Sequence, residues 1–133
     1  MKKTLMIVTT GRADYGLLYP LIRKISSSKS FELKLIATGT HLSSYHGESI
    51  KLIEEDKNIE ITERIEMTTE GDTEDSICYS IARGLEGFSQ LLKKTSPDLI
   101  IVLGDRYELL SVGVAAVIHK IPIAHIHGGE LSA

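Results

Sequence analysis

A chain of 133 residues fits one domain with a single layered core and leaves no room for a second. A formal charge of -3 gives no electrostatic reason to expect a nucleic-acid partner, and no apolar run approaches the roughly 18 residues of a membrane span. The lone Cys78 excludes an internal disulfide and points to the cytoplasm.

Lys2 and Lys3 suit a secretory signal, but the apolar run after them is only Leu5 to Val8, and Arg12 and Asp14 follow. TLMIVT at 4–9 is therefore read as a first strand. A helix is expected over about 16–28, with Leu17, Leu18, Leu21, Ile22 and Ile25 on one stripe and Pro20 tolerated only near its start. ELKLIAT at 32–38 predicts a second strand, and about 47–56 a short polar helix. IEITERIE at 59–66 is the weakest of the strands. The longest helix is expected over about 73–95, capped by Asp72 or Thr73, because Ile77, Ile81, Leu85, Phe88 and Leu92 recur at three or four residues. The same spacing puts Cys78 on the apolar side, as a buried and inert thiol. DLIIVL at 98–103, a helix over about 106–119 with Leu109, Val112, Val117 and Ile118 apolar, and IPIAHI at 121–126 complete the pattern.

Short branched runs alternating with helical ones predict an α/β fold, a Rossmann-like parallel sheet with helices on both faces. In such sheets ligands bind beyond the C-terminal ends of the strands. That rule gathers four loops on one rim: Gly11–Gly16, Gly39–Gly47, Gly104–Arg106 and His127–Glu130.

The first loop, TTGRADYG, has Ala13 where a dinucleotide-binding turn needs its second glycine, and Thr38 rather than an acid ends the second strand. NAD and FAD are not expected, and no other cofactor is implied. Arg12 beside a helix N-terminus suits a phosphate, or else pairs with Asp14 on the surface. His41 follows a Gly-Thr turn where it has access to a ligand, whereas His46 reads as solvated. Asp105 either caps the following helix, with Arg106 and Glu108 as its solvated first turn, or turns its carboxylate into the cleft mouth. His125 and His127, two apart on a strand, face one side and either line the rim or are packed. His-x-His suggests zinc, but no third ligand stands at a matching spacing, so no metal is expected. Gly128-Gly129 permits close approach of a ligand, and Glu130 adds a carboxylate to a general acid/base set.

GRADYGLLYPLI, TGTHLS, GDRYELL and PIAHIHGGE, in this order and at these strand ends, resemble the hydrolysing UDP-N-acetylglucosamine 2-epimerases of sialic-acid and legionaminic-acid synthesis. The resemblance covers the whole chain. It implies the N-terminal Rossmann-like part, incomplete in itself, of a glycosyltransferase-B-like two-domain fold, commonly homodimeric. Family members continue past HGGE into a domain that holds the nucleotide. The chain is thus expected to be a fragment, inactive alone.

The implied reaction eliminates UDP as a base removes the C2 proton, then hydrates the resulting 2-acetamidoglucal to N-acetylmannosamine. Asp105 and Glu130 match acid/base carboxylates of the family. His127 stands where some relatives have glutamate, which makes it a third candidate. Arg12 matches a phosphate-facing arginine; Asp14, His41, Arg106 and His125 are expected around the UDP-sugar substrate. The rival expectations are half of a sugar-nucleotide glycosyltransferase and a non-catalytic α/β binding module.

Overall fold

The structure is a computed structural model and describes residues 2–43, 49–67 and 71–128. Alternation along each strand divides its side chains between two cores. In β1 (Lys3–Thr9), Met6 and Val8 enter one buried cluster and Ile7 the other. In β2 (Phe31–Thr38), Ile36 and Leu35 divide likewise, and in β4 (Leu99–Leu103) Ile100 and Val102 oppose Ile101 and Leu103. Strands buried on both faces explain the near-continuous apolar runs in the sequence.

With β3 (Glu63–Ile65) and β5 (Ile123–Ile126), the strands form one parallel sheet in the order β3-β2-β1-β4-β5. This is the expected Rossmann-like sheet. On one face lie α3 (Glu74–Thr95) and α4 (Glu108–His119), which contribute Phe88, Leu91, Leu92, Val112, Ala115 and Ala116. The other face is covered by α1 (Arg12–Ser26), through Tyr15, Leu18, Ile22 and Ile25, and by Ile53 of α2 (Ile50–Glu54). Each fully buried aliphatic side chain contributes about 1.5–3 kcal/mol.

Several expected boundaries move. α1 starts at Arg12, four residues early, so Pro20 lies inside it. The carbonyl that Pro20 leaves without a donor is that of Gly16, and both residues are exposed, so water can serve it. The third strand shrinks to three residues. Ile59 and Ile61 pack into the α1-side core ahead of it, and the Thr62 hydroxyl accepts the Leu35 N–H at 3.0 Å in place of a ladder carbonyl.

α3 is capped by Thr73, whose hydroxyl accepts the Ser76 N–H at 3.1 Å. Its buried line runs through Ser80, Gly84 and Phe88 rather than Ile77, Ile81 and Leu85, which are only half-buried. A Cβ on Gly84 would sit 2.7 Å from both Met67 and Ser111, so the missing side chain lets α4 pack close. Cys78 lies off this line and is exposed, which corrects the expectation of a buried thiol. Val117 and Ile118, two of the apolar positions of the last helix, are exposed.

Candidate functional site

The strand order reverses between β1 and β4, where chain segments leave in opposite directions and open a crevice at the C-terminal ends. Two groups of polar residues meet there.

The first belongs to β1, β2 and the turns after them, and it is closed to solvent. His41, in a one-turn 3₁₀ helix at Gly39–Leu42, is fully buried. Its Nε2 lies 2.9 Å from the Thr9 hydroxyl and its Nδ1 2.9 Å from the Ser49 hydroxyl. Tyr15 meets the ring edge-on at 6.2 Å. Burial pulls the imidazole down to about 4, a nearby Asp14 charge opposing this only in part, so the ring is neutral at pH 7. His41 therefore ties β1 to α2 beneath the rim through two internal hydrogen bonds.

Asp14 is likewise buried, its carboxylate accepting from the Thr10 N–H at 3.1 Å and from the Thr10 hydroxyl. That carboxylate closes the entry to α1, where Gly11 offers no side-chain cap. Among the described residues Arg12 forms no ion pair with Asp14; it stands exposed on the first turn of α1. A guanidinium so placed, beside helix N–H groups, suits an anion.

The second group belongs to β4 and β5. After Leu103 the chain turns at Gly104, whose φ of +89° few other residues adopt. The Gly104 N–H donates to the Ile126 carbonyl at 2.9 Å, and its carbonyl accepts from His125 Nε2 at 2.6 Å. Arg106, on the far side of the turn, donates Nε and a terminal nitrogen to the two Glu108 oxygens at 3.1 and 3.0 Å. Between these anchors Asp105 is exposed. It does not cap α4, whose N-cap is Tyr107 and which has no side-chain cap. Asp105 thus projects at the crevice mouth from a turn fastened on both sides.

Glu108, expected as part of a solvated first turn, is fully buried. Its side chain packs beneath Gly39, where an added Cβ would lie 3.3 Å from it, so one carboxylate joins the ends of β2 and β4. The Arg106 guanidinium is held above its usual value by the Glu108 hydrogen bonds first and by the Glu108 and Asp14 charges besides. The sequence signal for this pair was Arg-x-Glu at the start of an apolar helix; a polar residue there reads as surface until its partner is seen.

His125 and His127 do not share a face as two residues of one strand would. β5 ends at Ile126, and His127 takes φ +53°, which swings it out of the pleat. Both are exposed. A Cβ added to Gly128 would lie only 2.1–2.4 Å from three atoms of the His125 ring, so the close approach that this glycine permits is to its own chain. Glu130, Gly129 and His46 lie outside the described residues. The C-terminal edge of the sheet thus carries Arg12, Asp105, Arg106, His125 and His127 exposed, and Asp14, His41 and Glu108 buried.

The UDP-N-acetylglucosamine 2-epimerase family matches residues 23–133. The chain is 38% identical over 131 residues to GDP/UDP-N,N'-diacetylbacillosamine 2-epimerase (hydrolyzing) of Campylobacter jejuni, covering 98% of this chain and 34% of that protein. It is 35% identical over 128 residues to polysialic acid biosynthesis protein P7 of Escherichia coli, covering 96% and 32%. Among solved structures, UDP-GlcNAc 2-epimerase from Neisseria meningitidis, bound to UDP-GlcNAc, superposes with a TM-score of 0.75 at 19% identity over 98% of this chain and 33% of that one. At that identity the likeness is one of fold. The chain spans about a third of the length of the curated relatives it matches.

Proposed function

Since the chain belongs to the UDP-N-acetylglucosamine 2-epimerase family, we propose that the full-length protein is a hydrolysing 2-epimerase that converts a UDP-N-acetylglucosamine-type sugar nucleotide to UDP and the free 2-epimer. The observation that supports this best is Asp105: an exposed carboxylate on a turn anchored at Gly104 and Arg106, at the mouth of the crevice. A base there removes the C2 proton as the C1–O bond to UDP breaks, leaving a 2-acetamidoglucal. Water then adds at C1 while an acid returns a proton to C2 from the opposite face. Base and acid come from Asp105, His127 and Glu130, each such group supplying about 10²–10⁴-fold when well placed. Arg12 balances charge on the departing pyrophosphate.

The full-length protein is proposed to be a homodimer of two-domain, glycosyltransferase-B-like chains, with residues 1–133 in the N-terminal domain. In support, α4 is apolar nearly all round, and Leu110, Val114, Val117 and Ile118 form an outward stripe 44–74% exposed. No helix among the described residues is long and apolar enough to cross a membrane.

The test is incubation of the full-length protein with UDP-N-acetylglucosamine and with UDP-N,N'-diacetylbacillosamine, identifying the sugar released. Release of UDP with a 2-epimerised free sugar from either is expected. Transfer of the sugar to an acceptor with C2 intact would favour a glycosyltransferase, and binding without turnover a binding module. Residues 1–133 alone are expected to release no UDP.

A further inference from the structure

We propose that His125 is a positioning residue, a strut that fixes the Gly104–Asp105 turn against the His127–Gly128 turn. Three observations carry this. A carbonyl oxygen only accepts, so the 2.6 Å contact with Gly104 requires the proton on His125 Nε2. The ring is seated so closely against Gly128 that no Cβ fits there. The Gly104 N–H returns a bond to Ile126, the residue between His125 and His127. One imidazole therefore touches both turns, and Gly104 is tied to β5 through both its N–H and its carbonyl. The left-handed backbone at Gly104 and at His127 makes each turn sharp, so movement of either would redirect Asp105 or His127.

The idea rests on the epimerase reading. It gives His125 a task different from the substrate contact expected from sequence. Acid/base groups that must act on opposite faces of one carbon depend on their separation, and a 1 Å displacement costs on the order of 10²-fold in rate.

The experiment uses the full-length protein, with wild-type turnover of the two UDP-sugars measured first. His125→Phe keeps a ring and removes the donor; His125→Gln carries an amide N–H near the position of Nε2; Gly128→Ala leaves His125 in place but pushes its ring away. With KM and UDP affinity within about threefold of wild type, kcat is expected to fall about 100-fold in His125→Phe and Gly128→Ala, and less than about tenfold in His125→Gln. Loss confined to KM or UDP affinity would make His125 a substrate contact and overturn the proposal. So would a fall in melting temperature with kcat per folded molecule unchanged, or a Gly128→Ala enzyme with normal kcat. An inactive wild type would defeat the epimerase reading itself, a result distinct from all three.

Discussion

The two sides of the crevice use the same residue types to opposite ends. On the β1–β2 side a histidine and an aspartate are buried and satisfied: His41 by Thr9 and Ser49, Asp14 by Thr10. On the β4–β5 side Asp105 and His127 are exposed on turns beside the end of β5, where the exposed His125 bonds to the Gly104 carbonyl. Whether a titratable side chain serves structure or chemistry is decided by what its neighbours leave for it to bind. The buried side holds the rim in shape; the exposed side leaves a carboxylate and two imidazoles facing solvent.

Substitutions should separate the two sides. The largest effect is expected at Asp105. Asp105→Asn in the full-length protein should lower kcat by about 10²–10⁴-fold with an unchanged melting temperature, since an exposed side chain contributes little to stability. Activity within a few-fold of wild type in a steady-state assay would place the acid/base chemistry elsewhere.

On the buried side the signature is in stability against pH. His41 binds its proton in the unfolded chain near 6.5 but in the folded protein only near 4. Its contribution is therefore fully present above pH 6.5 and is lost as pH falls toward 4, by up to about 3 kcal/mol. Denaturant unfolding at a series of pH values should show this slope, and His41→Gln should flatten it.

The Arg106–Glu108 pair spans both sides, and its two ends should differ. Arg106→Ala strands a fully buried carboxylate and should cost about 2–3 kcal/mol. Glu108→Gln leaves a half-exposed guanidinium that water can serve, and should cost about 1 kcal/mol. Equal costs in urea melts would mean that the burial of Glu108 is unimportant.

The smallest effect is expected at Tyr15. Its hydroxyl is buried with no hydrogen-bond partner among the described residues, and burial first, with the Asp56 charge second, pushes it up to about 12. Tyr15→Phe removes an unsatisfied group and should be neutral or stabilising by up to about 1 kcal/mol. A clear loss in thermal unfolding would show that the hydroxyl has a partner in solution.

The sheet was legible because strands covered on both faces must be apolar along their length, as LIIVL is. The rim followed from the rule that ligands sit at strand C-termini. The roles within the rim were not legible. Thr9 and Ser49, which bury His41, lie 32 and 8 residues from it, so nothing local marks that histidine as internal. Glu108 reads as solvated until Gly39 and Arg106 close over it. Cys78 was misplaced because Ser80 and Gly84, small residues that admit α4, do not register on an apolar stripe. The two histidines of HIH were paired by strand periodicity, which the left-handed turn at His127 ends.

Proton transfer at C2 by the exposed side of this crevice can be followed by turnover of the full-length protein in D₂O. The free sugar released with UDP is expected to be inverted at C2 and to carry one solvent deuterium there. A released sugar with its original C2 hydrogen and configuration would contradict it.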